Sequence, residues 1–194
     1  MSISKKEYWD GKYIEGDHGW DIGGIARPIK EYIDQLADKN LRILIPGAGN
    51  AYEAEYLHDA GFENVNVLEW SETAINNFCS RAPHFPVNNI INEDFFKHEG
   101  KYNLILEQTF FCAILPEMRQ EYADKSASLL STGGKLAGLL FDCEFEKAGP
   151  PFGGKKEEYI SYFKKHFDIK VFERCYNSIK PRAGRELFMI LSKR

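Results

Sequence analysis

The stretch LRILIPGAGNAYEAEYLHDAGFENVNVLE, residues 41–69, decides the fold. Leu41–Ile45 is an apolar run of strand length, and Pro46-Gly47-Ala48-Gly49-Asn50 follows at once. Glycines at such a turn let the backbone fold back sharply and approach a ligand that a Cβ would block. Asn50, with Glu53 three residues on, predicts a helix opened by a capping box, and Gly61 predicts its end. Asn64–Leu68 is a second strand, closed by the acidic Glu69. Strand, glycine turn, helix and strand in this order describe one unit of a parallel sheet.

Outward from that unit, apolar strands keep alternating with amphipathic segments. Upstream, residues 24–36 carry Ile25, Ile29, Ile33 and Leu36 near helical spacing, with Pro28 in the first turn, where its missing N–H is harmless. Downstream, Ser71 is placed to cap a helix through about Cys79, and residues 87–91 and Tyr102–Leu106 are further strands. Pro116 opens a helix running to about Leu130, and Ser131-Thr132-Gly133-Gly134 predicts a break before a strand over Lys135–Phe141. A loop over 148–154 precedes a helix over 156–166. Two last strands, 167–176 and 185–192, joined around Pro181 and Gly184, predict an antiparallel hairpin. The expected fold is a single α/β domain over 1–194, with a mostly parallel seven-stranded sheet finished by that hairpin.

In such sheets ligands sit beyond the C-terminal strand ends, where the glycine turn and Glu69 both fall. Tyr52 stands where the third glycine of GxGxxG belongs, which disfavours a pyrophosphate cradle and with it a nicotinamide oxidoreductase. Taken alone, the turn is equally a plain strand-to-helix connection. Glu69 lies 22 residues past Gly47, where a carboxylate can accept hydrogen bonds from both ribose hydroxyls. A nucleoside without pyrophosphate points to S-adenosylmethionine (SAM). Asp94, in Asn92-Glu93-Asp94-Phe95, is placed to meet an adenine amino group and the Phe95 N–H a ring nitrogen, although a solvated acidic loop reads the same way.

The chain has 194 residues, enough for one buried core, with 43% hydrophobic and 28% charged residues. Its formal charge of −4 offers no basic stripe for nucleic acid. Its longest apolar runs are strand-sized, and no secretory signal opens it, so a cytoplasmic protein is expected. Cys79, Cys112, Cys143 and Cys175 lie far apart without a CxxC, which reads as free thiols and not as a metal cluster or disulfide scaffold.

Trp9, Tyr13, the run Gly19-Trp20-Asp21-Ile22-Gly23, LIPGAGNAYEAEYL, FFCAILPEMR (110–119) and GPPFGG (149–154) appear in this order along almost the whole chain. In these motifs the sequence resembles the thiopurine S-methyltransferase superfamily, its bacterial members and the related plant halide and thiol methyltransferases. The resemblance implies a Rossmann-like SAM methyltransferase without a metal, acting on a small molecule as a monomer or weak homodimer. It implies that residues 1–22 form a lid in which Trp9, Tyr13 and Trp20 enclose SAM. Gly47 and Gly49 would form the turn, Glu69 would hold the ribose, Asp94 and Phe95 the adenine, and Gln108 would stand near the methionine part.

Ring faces attract a sulfonium cation by roughly 0.5–2 kcal/mol, although Trp9 and Trp20 would equally anchor a terminal segment. Acceptor-site candidates are Asp21, Phe110, Phe111, Phe152, Tyr176, Arg182 and Arg185, with no general acid or base assigned. Methyl transfer to a thiol or thiopurine-like sulfur is expected. Transfer to halide or thiocyanate is the alternative, weakened because Gln108 and Phe152 stand where the plant enzymes carry tyrosines. A SAM-binding protein without turnover is the remaining reading.

Overall fold

The computed structural model describes residue 3, residues 5–147 and residues 149–194; the parts of the expected lid at residues 1, 2 and 4, and the start of the 148–154 loop, lie outside them. The chain opens with α1 (Lys6–Glu15) and α2 (Arg27–Ile33). Then come β1 (Ile43–Pro46), α3 (Tyr52–Asp59), β2 (Val65–Glu69), α4 (Glu72–Arg81) and β3 (Ile90–Asn92). The second half holds β4 (Tyr102–Gln108), α5 (Arg119–Leu129), β5 (Leu130–Phe141), α6 (Lys156–Phe163), β6 (Phe167–Arg174) and β7 (Glu186–Lys193).

The seven strands form one sheet in the order β3-β2-β1-β4-β5-β7-β6. All pairings are parallel except those of β7, which runs antiparallel to both β5 and β6. Strand order reverses between β1 and β4, which opens a crevice at their C-terminal ends, the place where such sheets bind ligands.

Alternation along the strands feeds two cores. Ile43, Ile45, Val65, Val67, Leu104 and Leu106 pack against α2, α3 and α4 through Ile29, Leu57 and Phe78. Leu44, Leu68, Ile105, Leu136 and Leu140 face the other way and meet α5 and α6 through Tyr122 and Phe163. Burial on both faces explains why β1 is apolar throughout instead of alternating. No helix among the described residues is long and apolar enough to cross a membrane.

Two local expectations are corrected. Asn50 does not cap α3: the cap position is Ala51, in the left-handed region at φ 51°, with no side-chain cap bond. The Asn50 amide donates instead to Asp21 Oδ2 at 2.5 Å, and Glu53 is buried, so no capping box forms. Residues 131–134 do not interrupt the chain but belong to β5 as an irregularity, where the register against β4 shifts between Tyr102 and Leu104. Gly133 at φ 75° absorbs the kink. Ser71 caps α4 as expected, accepting from the Ala74 N–H at 3.1 Å.

Candidate active site

Beyond Pro46 the backbone turns through three left-handed residues, Gly47 and Gly49 at φ 55° and Ala51 at φ 51°. The tightness is not only conformational. A Cβ on Gly47 would collide with the Phe110 ring, and one on Gly49 with the Tyr13 hydroxyl. Glu69, 6% exposed at the end of β2, binds this turn: its Oε2 accepts from the Gly49 N–H at 2.7 Å. Its Oε1 accepts from the N–H groups of Trp70 and Ser71 at 2.7 and 2.8 Å. Burial raises the Glu69 pKa, and the three N–H donors pull against it. They also fix the carboxylate's orientation before any ligand arrives.

α1 lies across this end of the sheet. Asp10 Oδ1 accepts from the Ser71 hydroxyl at 2.7 Å and the Thr73 N–H at 2.9 Å, which ties α1 to the first turn of α4 and holds the Asp10 carboxyl below its usual range. The tie sets Trp9, Tyr13 and Trp20 edge to face, with Trp20 at 5.8 Å from each of the others. Asp21 anchors the end of the same segment through Asn50, Tyr52 and the Gly23 N–H. Arg182 donates to the Trp20 carbonyl at 2.7 Å, so the C-terminal hairpin holds the segment from the other side.

These elements enclose a cavity of about 600 Å³. Trp9, Tyr13, Trp20, Gly47 and Glu69 line it, together with Asp94 and Phe95. The rest of the lining includes an apolar and aromatic set, Phe110, Ile114, Met118, Phe141 and Phe145, and the two arginines Arg182 and Arg185. The Arg185 guanidinium lies 4.9 Å over the Phe145 ring and that of Arg182 lies 5.6 Å over Phe141. Arg182 is partly neutralised by Glu186 at 3.5 Å, which leaves Arg185 the freer cation.

Of the residues named from sequence, six lie outside the cavity lining. The Gly49 N–H is used by Glu69. Gln108 ends β4 with a buried Oε1 that has no partner. Asp21 is taken up in anchoring the N-terminal segment. Phe111, 1% exposed, is core, packed against Tyr122, Tyr159 and Phe163. Tyr176 is 90% exposed in the hairpin connection and faces solvent, not the cavity. Phe152 stands behind the cavity, its N–H donating to the Cys112 carbonyl at 2.7 Å, while its neighbours Pro150 and Pro151 form the wall.

Four features went unread in the sequence. Asp10 looked like one more charge in a polar terminal run. Phe145 sits in an irregular segment with no periodicity. Arg119 is 1% exposed, donating to the carbonyls of Phe152 and Gly153 at 3.2 and 2.9 Å. Glu107 is fully buried at the end of β4. A charge inside an otherwise apolar strand, LILEQ, is the signal that would have found the last of these.

Comparison with known proteins agrees with this architecture. The family model described as Thiopurine S-methyltransferase (TPMT) matches residues 4–190. A probable thiol methyltransferase 2 of Arabidopsis thaliana is 30% identical over 82% of this chain and 72% of its own. Thiocyanate methyltransferase 1 of Brassica oleracea is 28% identical over 92% and 81%, and a thiopurine S-methyltransferase of Pseudomonas aeruginosa 25% over 87% and 86%. Among solved structures, a Burkholderia thailandensis 1,6-didemethyltoxoflavin-N1-methyltransferase with bound S-adenosylhomocysteine superposes with a TM-score of 0.76, covering 97% of this chain and 86% of its own at 17% identity. The family model spans the glycine turn, the N-terminal aromatic segment and the hairpin alike, and the chain belongs to the thiopurine S-methyltransferase family.

Proposed function

We propose that this enzyme transfers the methyl group of SAM to the sulfur of a small-molecule thiol by in-line displacement, inside the cavity beneath α1. The observation that carries the reading is the cavity's lining. Acidic groups and the glycine turn share one lining with an aromatic set and two arginines. The residues present fit SAM. Neither glycine of the turn has room for a Cβ, and the Glu69 carboxylate, oriented by the Gly49, Trp70 and Ser71 N–H groups at the cavity, would meet a ribose. Glu69, Asp94 and the Phe95 N–H would hold the nucleoside, and Trp9, Tyr13 and Trp20 would cover the sulfonium.

When bound, SAM supplies an electrophilic methyl carbon on a cationic sulfur. The chain's own contribution is alignment and exclusion of water. Orientation of two reactants contributes on the order of 7–11 kcal/mol. The cage of three rings contributes roughly 0.5–2 kcal/mol toward the cation. Arg185 and Arg182 favour the anionic form of the acceptor. A thiol with an ordinary pKa near 8.5 is already a few per cent thiolate at neutral pH, so orientation without a dedicated base suffices. The lid over 1–22 and the single-domain organisation over 1–194 belong to the same reading, as does a reducing cytoplasmic setting, which suits four free cysteines.

Thiocyanate or halide is the second reading, favoured by one observation: an aromatic pocket edged by two arginines also accommodates a small soft anion. Following S-adenosylhomocysteine formation from SAM with aromatic thiols, thiopurines, thiocyanate and iodide separates the two. Turnover confined to the inorganic anions would overturn the thiol reading.

A further inference from the structure

The methyl-transfer mechanism leaves unused a fully buried carboxylate that stands behind the turn lining the cavity. We propose that Glu107 is a positioning residue that fixes the cofactor end and the acceptor end of the site in one relation, acting through the turn 109–112. The inference rests on the methyl-transfer reading above.

Glu107 is the penultimate residue of β4 and has no solvent exposure. Oε1 accepts from the N–H groups of Phe110 and Phe111 at 2.8 and 2.9 Å. Oε2 accepts from the Tyr122 hydroxyl of α5 at 2.6 Å. On its flank the β5 partner is Gly138, where any Cβ would strike the Glu107 backbone and Cβ. The carboxylate therefore binds the turn to the sheet on one side and to α5 on the other, and has no room to shift.

That turn touches both the glycine turn and the loop carrying Phe152. Its first residue, Thr109, sits at φ 63°, a conformation a β-branched residue adopts only when its surroundings impose it. The Phe110 ring presses on Gly47 of the glycine turn and packs edge to face with Phe95, 5.2 Å away. Two residues on, the Cys112 carbonyl accepts from the Phe152 N–H, and Arg119, stacked 5.0 Å over Phe111, grips the carbonyls of Phe152 and Gly153. One anchor thus sets the ring against the cofactor turn and the loop that walls the acceptor.

The titratable groups facing Glu107 are Tyr122 from α5 and Cys112 from the turn itself. Burial pushes the Glu107 carboxyl up to about 7, against the pull of the Tyr122 hydroxyl and the two amides. Near neutral pH the anchor therefore exists in two protonation states, and the geometry it imposes should register in a pH profile.

The test compares Glu107→Gln, which retains an oxygen for both amides, with Glu107→Ala, which retains nothing, using SAM and thiophenol at a temperature where circular dichroism shows both folded. Glu107→Ala should lose about 100-fold in kcat, as a misplacement near 1 Å can do, with KM rising for both substrates. Glu107→Gln should recover to within about 10-fold, and its kcat ratio to wild type should change as pH passes through about 7. An alanine variant that melts earlier with kcat and both KM values unchanged would reduce Glu107 to a structural residue, and equal loss in both variants would remove the geometric argument. Should the alanine variant not fold, Tyr122→Phe, which deletes only the donor to Oε2, should move the wild-type inflection to higher pH; an unmoved profile overturns the proposal. Wild type that forms no S-adenosylhomocysteine with any thiol would instead sink the methyl-transfer reading and is distinguishable from all of these.

Discussion

At the scale of single residues the proposed cofactor site turns on Glu69. Its carboxylate is already engaged by three backbone N–H groups, so a ribose would find the oxygens aimed and partly desolvated. Glu69→Ala is expected to weaken SAM binding by roughly 1–3 kcal/mol, read by calorimetry, because buried donors lose a charged acceptor. Unchanged affinity would remove Glu69 from the site. Trp20→Ala should raise the dissociation constant of SAM by about 2- to 30-fold while leaving that of adenosine nearly constant, since adenosine has no sulfonium. Equal weakening of both ligands would make the ring a plain wall. The place of Glu69 beside the glycine turn was legible from sequence, because it ends an apolar strand at the sheet end where that turn falls. Tyr176 and Phe111 were misread for the opposite reason. An aromatic residue near a motif looks the same whether it faces cavity, core or water, and only packing distinguishes them.

Among the elements, α1 is the one whose role depends on tertiary contact. It buries Tyr13 alone among its ten residues, so its own periodicity gives it little reason to dock. What holds it is the Asp10 carboxylate on Ser71 and Thr73, with Lys6 paired to Glu72 at 2.5 Å. Asp10 sits below the usual carboxylate range because the Thr73 N–H and the Ser71 hydroxyl favour its charged form. Its contribution is therefore present above the ordinary carboxylate pKa and is lost as pH falls through the lowered value. Asp10→Ala should speed proteolytic cleavage within residues 5–16 and accelerate S-adenosylhomocysteine release in stopped-flow tryptophan fluorescence. Equal cleavage and release in variant and wild type would show that α1 is held by other means. The strands and most helices could be read from their apolar spacing. The Asn50 cap could not, because its amide is claimed by Asp21, 29 residues earlier in the chain. Nor could the continuity of β5 through Ser131–Gly134, since a bulge and a break share the same glycines.

For the whole molecule, the buried Glu107 gives stability a definite slope. Its folded pKa, about 7, lies above the ordinary value, so the neutral form favours folding. That contribution is complete below the ordinary carboxylate pKa and is lost as pH rises through about 7. From pH 6 to pH 8 wild type should lose about 1 kcal/mol relative to Glu107→Gln in paired denaturation curves. A constant difference between the two proteins would mean that the carboxyl does not titrate there. The same fold joins an N-terminal helix, a glycine turn and a hairpin connection from distant parts of the chain around one cavity, and the account stands on that cavity holding SAM and a thiol together. The direct measurement is S-adenosylhomocysteine release from the purified protein with SAM and a panel of aromatic thiols, thiopurines, thiocyanate and iodide. The account predicts saturable turnover with thiols, falling when Arg185 is replaced by Ala; turnover with none of the thiols would contradict it.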